Sequence, residues 1–512
     1  MGILIDRELC EDCGECVPHC SHHALRMEGG VLRVDNSLCV DCAICTDYCP
    51  NDAMDLTDNV VGDLLEQDQS PAAAHPMPKT ERKRVRMGED NPCVVRLDGC
   101  TECGGCIKTC AERVHKVGDP DFDVCLGCGQ CIQTCPEHVL RPRNDIPKVL
   151  EALSSDRTCV AFTAPGTRVA LGDSFGGTPG ENVEGKLVSA LREMGFDYVL
   201  DLTFGADVTV VEEASELVSR LRDPSAGPLP LITSCCPAWV RYCELFYPDI
   251  LAHVSSCKSP MGMEGALIDA YLAPRLGLDP DRLFTVAIAP CTAKKGEITQ
   301  SEITGVDAVI TIRELSEHIA KSMDFASLGD GRFDEPMGTG SGAGAIFGNT
   351  GGVMEAALRT ASYLVTGEEL AEGACDALRG LDDVKELALP LGDRVVRVAV
   401  IDGMSNAISV LDSIREGACD YDFIEIMNCW GGCVGGGGQP PLSEEDEFYV
   451  KKRRIDGLYK KDSGLSCRSA HNNPELKTLY DSFLGKPLGT RAEELLHRSY
   501  KDRSKELAQR RS

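Results

Sequence analysis

From about residue 145 onward, short apolar runs alternate with longer stretches of helical periodicity. CVAFTAP, LPLITS, LFTVAIAP, DAVIT and VRVAVIDG read as strands, and the segments between them read as helices. That alternation predicts an α/β region built on largely parallel sheets. One helical stretch, VVEEASELVSRLR, carries Glu213 and Glu216 at spacing i, i+3 on one face, with Arg220 one turn beyond Glu216. Ala214, Leu217, Val218 and Leu221 lean to the other side. Taken alone, this is a solvated face with an i,i+4 ion pair. The last fifty or so residues, with NPELKTLYDSF and RAEELLHRSYK, read as helical and polar.

The first 136 residues follow a different rule, one cysteine spacing written four times. Cys10, Cys13, Cys16, Cys20 read C-x2-C-x2-C-x3-C, as do Cys39, Cys42, Cys45, Cys49, then Cys100, Cys103, Cys106, Cys110, then Cys125, Cys128, Cys131, Cys135. This is the bacterial 4Fe–4S ferredoxin spacing, in which three ligands come from one run and the fourth from its partner. Cys10, Cys13, Cys16 therefore pair with Cys49, and Cys39, Cys42, Cys45 with Cys20. In the second unit Cys100, Cys103, Cys106 pair with Cys135, and Cys125, Cys128, Cys131 with Cys110. The expectation is four 4Fe–4S clusters forming an electron wire. Two ferredoxin-like α+β domains, 1–56 and 93–143, then flank a linker or surface strap at 57–92. A catalytic α/β domain follows at 144–442, and a helical extension at 443–512. Cys93 lies outside the spacing and reads as a spare thiol.

Composition narrows the class. The chain has 512 residues, 43% of them hydrophobic and 26% charged, enough for several globular domains. Twenty-eight cysteines argue for metal clusters over disulfides and for a reducing cytoplasmic setting. No apolar run reaches the roughly 20 residues of a membrane helix, and the start MGILIDRELC has no secretory pattern. The net charge of −29 argues against a nucleic-acid partner. An acidic electron carrier would need a local basic patch for docking.

Three more cysteine motifs stand at predicted strand ends or turns. They are Thr233-Ser234-Cys235-Cys236-Pro237-Ala238-Trp239, Pro290-Cys291-Thr292-Ala293-Lys294-Lys295-Gly296-Glu297, and Met427-Asn428-Cys429-Trp430-Gly431-Gly432-Cys433 with a glycine run to Pro440. A single buried cysteine is ordinarily packing. Five thiols beside glycine suit a bulky inorganic cluster, because glycine lets backbone come close.

These motifs resemble the signatures of the iron-only (FeFe) hydrogenases, together with the ferredoxin units, SGAGAIFGNTGGVMEAALR at 341–359 and the C-terminal tail, a small-subunit-like extension. The resemblance implies an H-cluster: a 4Fe–4S cubane joined to a di-iron unit carrying carbonyl, cyanide and azadithiolate. Its cubane ligands would be Cys236, Cys291, Cys429 and Cys433, with Cys433 also bridging to the di-iron unit. Cys235 would relay protons, followed by Glu213, Ser255 (in VSSCKSP) and Glu216, with Arg220 near the exit. Lys294 would donate to a cyanide and be held by Glu297. Pro165, Pro260, Phe347 and Met427 would line the cofactor. Lys295 reads as a surface lysine.

The resemblance further implies reversible interconversion of protons, electrons and dihydrogen, ferredoxin or a similar carrier as partner, and dedicated maturation enzymes. Alternatives are a non-catalytic iron–sulfur assembly factor, a dihydrogen sensor and a subunit of an electron-bifurcating complex. Ala289, Gly166, Asn428 and Trp430 depart from frequent family choices. Cys159, Cys243, Cys257, Cys375, Cys419 and Cys467 match no ligand motif and read as packing.

Overall fold

The structure, a computed structural model, describes residues 2–5, 10, 13, 17, 25–28, 31–34, 54–57, 91–115 and 124–509. Cys16, Cys20, Cys39, Cys42, Cys45 and Cys49, and nearly all of the 57–92 linker, lie outside the described residues. The chain divides into two compact units, Met1–Pro76 and Met77–Ser512. In the first unit, β1 (Gly2–Ile5) pairs antiparallel with β4 (Met54–Thr57), and β2 (Leu25–Glu28) forms a hairpin with β3 (Val31–Val34). Leu25 and Leu32 are buried. Cys10 is half-buried and Cys13 exposed.

The second unit opens with a matching bracket: β5 (Val94–Arg96) pairs antiparallel with β6 (Leu140–Pro142). Between them, short helices Gly105–Thr109 and Gln130–Gln133 each begin inside a cysteine run. Cys93, Cys106, Cys135, Ile132 and Leu140 form its small core.

The larger region is organised by two four-stranded sheets. One has the order β11 (Ala308–Thr311), β10 (Leu283–Ala289), β7 (Thr158–Thr163), β8 (Tyr198–Asp201), all parallel. All seven residues of β10 are buried, as a central strand covered on both faces requires. Alternate residues serve opposite cores. Val160, Phe162, Ala287 and Val309 face one, while Ala161, Val286, Ile288 and Ile310 face the other. The second sheet has the order β12 (Val384–Leu391), β13 (Arg394–Asp402), β14 (Phe423–Met427), β9 (Leu231–Ile232). Only β12 runs antiparallel. All five predicted strand runs form strands, though LPLITS keeps just Leu231 and Ile232.

The 20-residue helix Thr203–Arg222 overturns the solvated-face reading. Its first half packs in the core of the first sheet, through Phe204, Ala206, Val208 and Val210. Its second half packs on the other sheet, through Ala214, Leu217 and Val218. A helix that straddles two sheets is enclosed on every side, so Glu212, Glu213, Glu216 and Arg220 are all buried. The polar C-terminal extension is likewise tied in, burying Leu476, Leu479, Tyr480, Ala492 and Leu496 in the first core.

Lys295 is a second correction. It is 2% exposed, and its Nζ lies 2.8 Å from Asp145 and 3.1 Å from Glu314. It also donates to the Val309 carbonyl. Glu314 meanwhile accepts from Thr311 in a capping box. The charge is drawn inward because two carboxylates at helix starts need a counter-ion. Lys295→Met should lower stability by about 3 kcal/mol, since it strands buried charge. Denaturant midpoints of the two proteins check this, and equal midpoints would refute it.

Candidate functional site

The three motifs meet because each follows a parallel strand. Thr233–Cys236 leave β9, Pro290–Cys291 leave β10, and Cys429 and Cys433 follow β14. Carboxyl ends of parallel strands are where α/β folds place ligand sites. The loops are pinned. Trp239 Nε1 donates to the Thr233 carbonyl at 2.9 Å, and Ser234 Oγ to the Cys257 carbonyl at 2.7 Å. Both carboxylate oxygens of Asp402 accept from the Gly431 N–H, at 2.8 and 3.0 Å. Gly432 has φ 73°, and a Cβ there would sit 2.6 Å from the Thr350 nitrogen, so only glycine permits this turn.

Between the loops lies a cavity of about 80 Å³. Cys235, Cys236, Cys291, Cys429, Cys433 and Lys294 line it, and Pro165, Pro260, Phe347 and Met427 form apolar wall. Ala289 and Gly166 also line it, as do Asn428 and Met261, the last not anticipated from sequence. Trp430 turns away instead, donating to the Leu381 carbonyl at 3.1 Å beneath Lys451.

Cys236, Cys291, Cys429 and Cys433 lie close together: Cys236 raises the pKa of the other three, and Cys291 raises that of Cys429 and Cys433. Burial is the first cause, pushing Cys291 up to about 11 and Cys433 to about 12, with neighbouring thiols adding to it. Four such thiols ionise together only around a cation. Backbone N–H groups point at two of the sulfurs. Ala238 and Trp239, in the first turn of the Pro237–Phe246 helix, address Cys236, as does Asn428. Ala293 and Lys294 address Cys291. Converging thiols with N–H donors, glycine on one side and an apolar wall on the other fit a thiolate-ligated iron–sulfur group.

Lys294 Nζ lies 2.7 Å from Glu297 and 3.2 Å from the Cys235 carbonyl. Burial pulls its pKa down, but the charge and hydrogen bond of Glu297, with the Cys291 and Cys235 thiols, together leave it raised. The lysine is therefore a fixed ammonium at the cavity edge.

Behind Cys235 stands Glu213. It is 1% exposed, and neither carboxyl oxygen makes a well-formed hydrogen bond, the Ser255 hydroxyl and the Ser234 N–H being its nearest donors. Burial first, then the Glu216 charge, pushes its pKa up to about 8, with nearby Ser255 and the Ser234 N–H offsetting part of this. Ser255 Oγ donates to Glu216 at 2.9 Å, and Glu216 pairs with Arg220 at 2.6 Å. Cys235, Glu213, Ser255, Glu216 and Arg220 are thus neighbours in one enclosed group beside the cavity.

The raised Glu213 acidity has a measurable consequence. The folded protein keeps a proton there that the unfolded chain releases above the ordinary value of 4.5. The associated stability is complete below that pH and is lost as pH rises through about 8. Glu213→Gln removes this loss. The variant should gain a few kcal/mol on the parent between pH 5 and 8.5 in urea midpoints. A gap that stays constant over that range would mean Glu213 is already ionised. Glu264, also at about 8, slopes the same way in both proteins and cancels.

The second ferredoxin-like region abuts this site. Cys110, Cys125, Cys128 and Cys131 lie near one another, and Cys100, Cys106 and Cys135 pack in one core. Cys103 is exposed. Cys128 faces Cys429, whose thiol it helps to raise. Thr292 Oγ1 donates to the Gly127 carbonyl at 2.6 Å, and Gln130 to the Gly435 carbonyl at 3.1 Å. A Cβ on Gly437 would meet the Cys128 carbonyl at 2.4 Å, so backbone here lies directly on backbone. Cys93, read as a spare thiol, is buried near Cys125 and Cys291. No described cysteine forms a disulfide. Cys159, Cys243, Cys257 and Cys375 are buried, while Cys419 and Cys467 are half-buried.

Sequence reasoning passed over Ser256, Glu212 and His497, which join Glu216 in one hydrogen-bonded group. Ser256 adjoins Ser255, but His497 is 241 positions away and no local signal marks it.

Comparison with known proteins agrees with this geometry. Residues 157–437 match the family model of the iron only hydrogenase large subunit, C-terminal domain, and 448–503 that of the iron hydrogenase small subunit. Residues 31–111 match a 4Fe-4S dicluster domain. The chain is 43% identical to NADP-reducing hydrogenase subunit HndD of Solidesulfovibrio fructosivorans, over 78% of this chain and 66% of that protein. It is 42% identical to iron hydrogenase 1 of Clostridium pasteurianum, over 71% and 64%. The matches thus span just under two thirds of those relatives' own length. An apo structure of the FeFe-hydrogenase HydA1 from Chlamydomonas reinhardtii superposes with TM-score 0.63 at 37% identity, covering 70% of this chain and 99% of that one. Cytosolic iron-sulfur assembly component 3 of Mus musculus is more distant, 28% identical over 79% of this chain and 83% of that protein. The family match covers more than half the chain, and the chain belongs to the iron-only hydrogenase family.

Proposed function

We propose that the protein is a hydrogenase that interconverts protons and electrons with dihydrogen at an H-cluster. Cys236, Cys291, Cys429 and Cys433 would hold its cubane, and Cys433 would bridge to the di-iron unit. The bound group supplies the redox-active metal at which dihydrogen is made or split, and its carbonyl, cyanide and azadithiolate come from maturation enzymes. The chain supplies everything else. The apolar wall excludes water. Lys294, fixed by Glu297, orients the group by charge-assisted hydrogen bonding.

The observation that carries this reading is the pair formed by Cys235 and Glu213. A fifth thiol lines the cavity, and behind it stands a fully buried carboxyl without a well-formed hydrogen bond. A structural acid in that position would be paired. A carboxyl with pKa near 8 can instead take a proton from a thiol and give it up again at neutral pH. Ser255 and Glu216 continue the route outward. An assembly factor needs neither an apolar cavity nor a proton route.

Electrons would arrive through 4Fe–4S clusters on the repeated cysteine runs, from ferredoxin or a similar carrier, and enter the site from the Cys128 side. Among the described residues no helix is long and apolar enough to cross a membrane. We place the enzyme in a reducing cytoplasm because its cysteines serve as thiols.

Infrared spectroscopy of anaerobic protein co-produced with maturation enzymes tests the reading. Carbonyl and cyanide bands that shift under dihydrogen are expected. Their absence, with maturation working on a control hydrogenase, would transfer the chain to the assembly-factor class.

A further inference from the structure

Glu216 must pass its proton on, and Arg220 cannot take it. A guanidinium carries five donors, no acceptor, and a charge that persists at every physiological pH. Its two terminal nitrogens donate to Glu216 at 2.6 Å and to the carbonyls of Pro228 and Ala252 at 2.9 and 3.0 Å. Arg220 holds Glu216 in place and is no carrier.

A different group touches the other carboxylate oxygen. Ser256 Oγ lies 3.3 Å from Glu216 Oε2 and 2.7 Å from His497 Nδ1. His497 Nε2 lies 3.1 Å from Glu212 Oε2. Glu212 is fully buried and also accepts from Tyr480 Oη at 2.6 Å and from the Leu488 N–H at 2.8 Å. A carboxylate taking three donors is an acceptor, which assigns the proton to Nε2 and leaves Nδ1 open.

We propose that the proton route leaves Glu216 through the Ser256 hydroxyl to His497, so that the C-terminal extension supplies its outer carrier. This rests on the hydrogenase reading above. The single hydroxyl proton of Ser256 can serve only one neighbour at a time. When Glu216 is protonated, its O–H bond breaks toward Ser256 Oγ, and the Ser256 proton passes to His497 Nδ1. The imidazolium so formed is steadied by the Glu212 carboxylate behind it, as in a hydrolase triad. It then yields a proton to water at its edge, where 8% of the side chain is exposed. No electrons move in this step. The direction reverses when protons are consumed.

The groups facing His497 are Glu212 and Glu216 from the Thr203–Arg222 helix and Cys257 beside Ser256. Tyr480 and Arg220 stand one contact further away. Glu216 is itself 10% exposed, so direct transfer to water is the competing route.

The test uses the cofactor-loaded full chain, with dihydrogen oxidation followed against pH in the parent, Ser256→Ala and His497→Gln. Both variants should lose turnover by roughly tenfold at neutral and higher pH, within the range of a lost proton carrier. Added imidazole should restore His497→Gln, which a merely structural histidine would not allow. Infrared difference spectra give a readout without turnover. The Glu216 carboxyl band, identified by its loss in Glu216→Gln, should move in both variants.

Parental rate and profile in His497→Gln would overturn the forked route, as would a loss that imidazole does not restore. A parent that carries the carbonyl bands yet turns over no dihydrogen would overturn the hydrogenase reading and this inference with it. An active parent with an indifferent His497→Gln would overturn this inference alone.

Discussion

Cys235→Ala should lower dihydrogen turnover roughly 10²–10⁴-fold, the range for a lost proton carrier, with the fold and iron content retained. The side chain lines the cavity and raises no ligand question, because four other thiols already converge there. Its neighbours give it a task. Glu213 is the next titratable group behind it, buried and without a well-formed hydrogen bond. Removing the thiol leaves a gap that an alanine methyl cannot bridge by proton transfer. The Lys294 contact is to the Cys235 carbonyl and survives the change. Steady-state turnover beside infrared bands checks this. Intact bands with near-parental turnover would eliminate Cys235 as carrier.

The second large effect concerns Cys433. Cys433→Ala should abolish the carbonyl and cyanide bands and all turnover, while ferredoxin-type clusters remain visible by electron paramagnetic resonance. The reasoning is positional. Cys433 follows Gly432, whose left-handed backbone places its sulfur against Cys236 and Cys291. No described spare thiol lines the cavity to replace it except Cys235. Parental band intensity would show that the di-iron unit is held without Cys433.

Much of this site was legible because its chemistry is local in sequence. The candidate ligands come in short motifs, and two of the three motifs follow strands, β9 and β10, whose apolar runs already marked them; β14, interrupted by Glu425, was not among those runs. The failures share one cause. VVEEASELVSRLR has the charge spacing of a surface helix, and nothing within it reports that two sheets and a C-terminal extension enclose it. Lys295 is paired with Asp145 and Glu314, 150 and 19 positions away. Ser256 was overlooked beside Ser255 because its partner His497 is supplied by the far end of the chain. In each case a distant partner decides whether a charge is solvated or enclosed.

The glycine contact between the two halves of the larger unit has a kinetic meaning. Electron tunnelling falls off exponentially with the gap between redox centres, so each ångström of protein inserted between them slows the hop by a constant factor. At Gly437 the backbone lies directly against Cys128 and Gly129 because no side chain intervenes. A single methyl there would meet the Cys128 carbonyl at 2.4 Å, so it would push the proposed electron route away from the proposed active site. For the proposed enzyme, electron supply would then be adjustable at Gly437 without altering the cavity that Cys235 and Lys294 line.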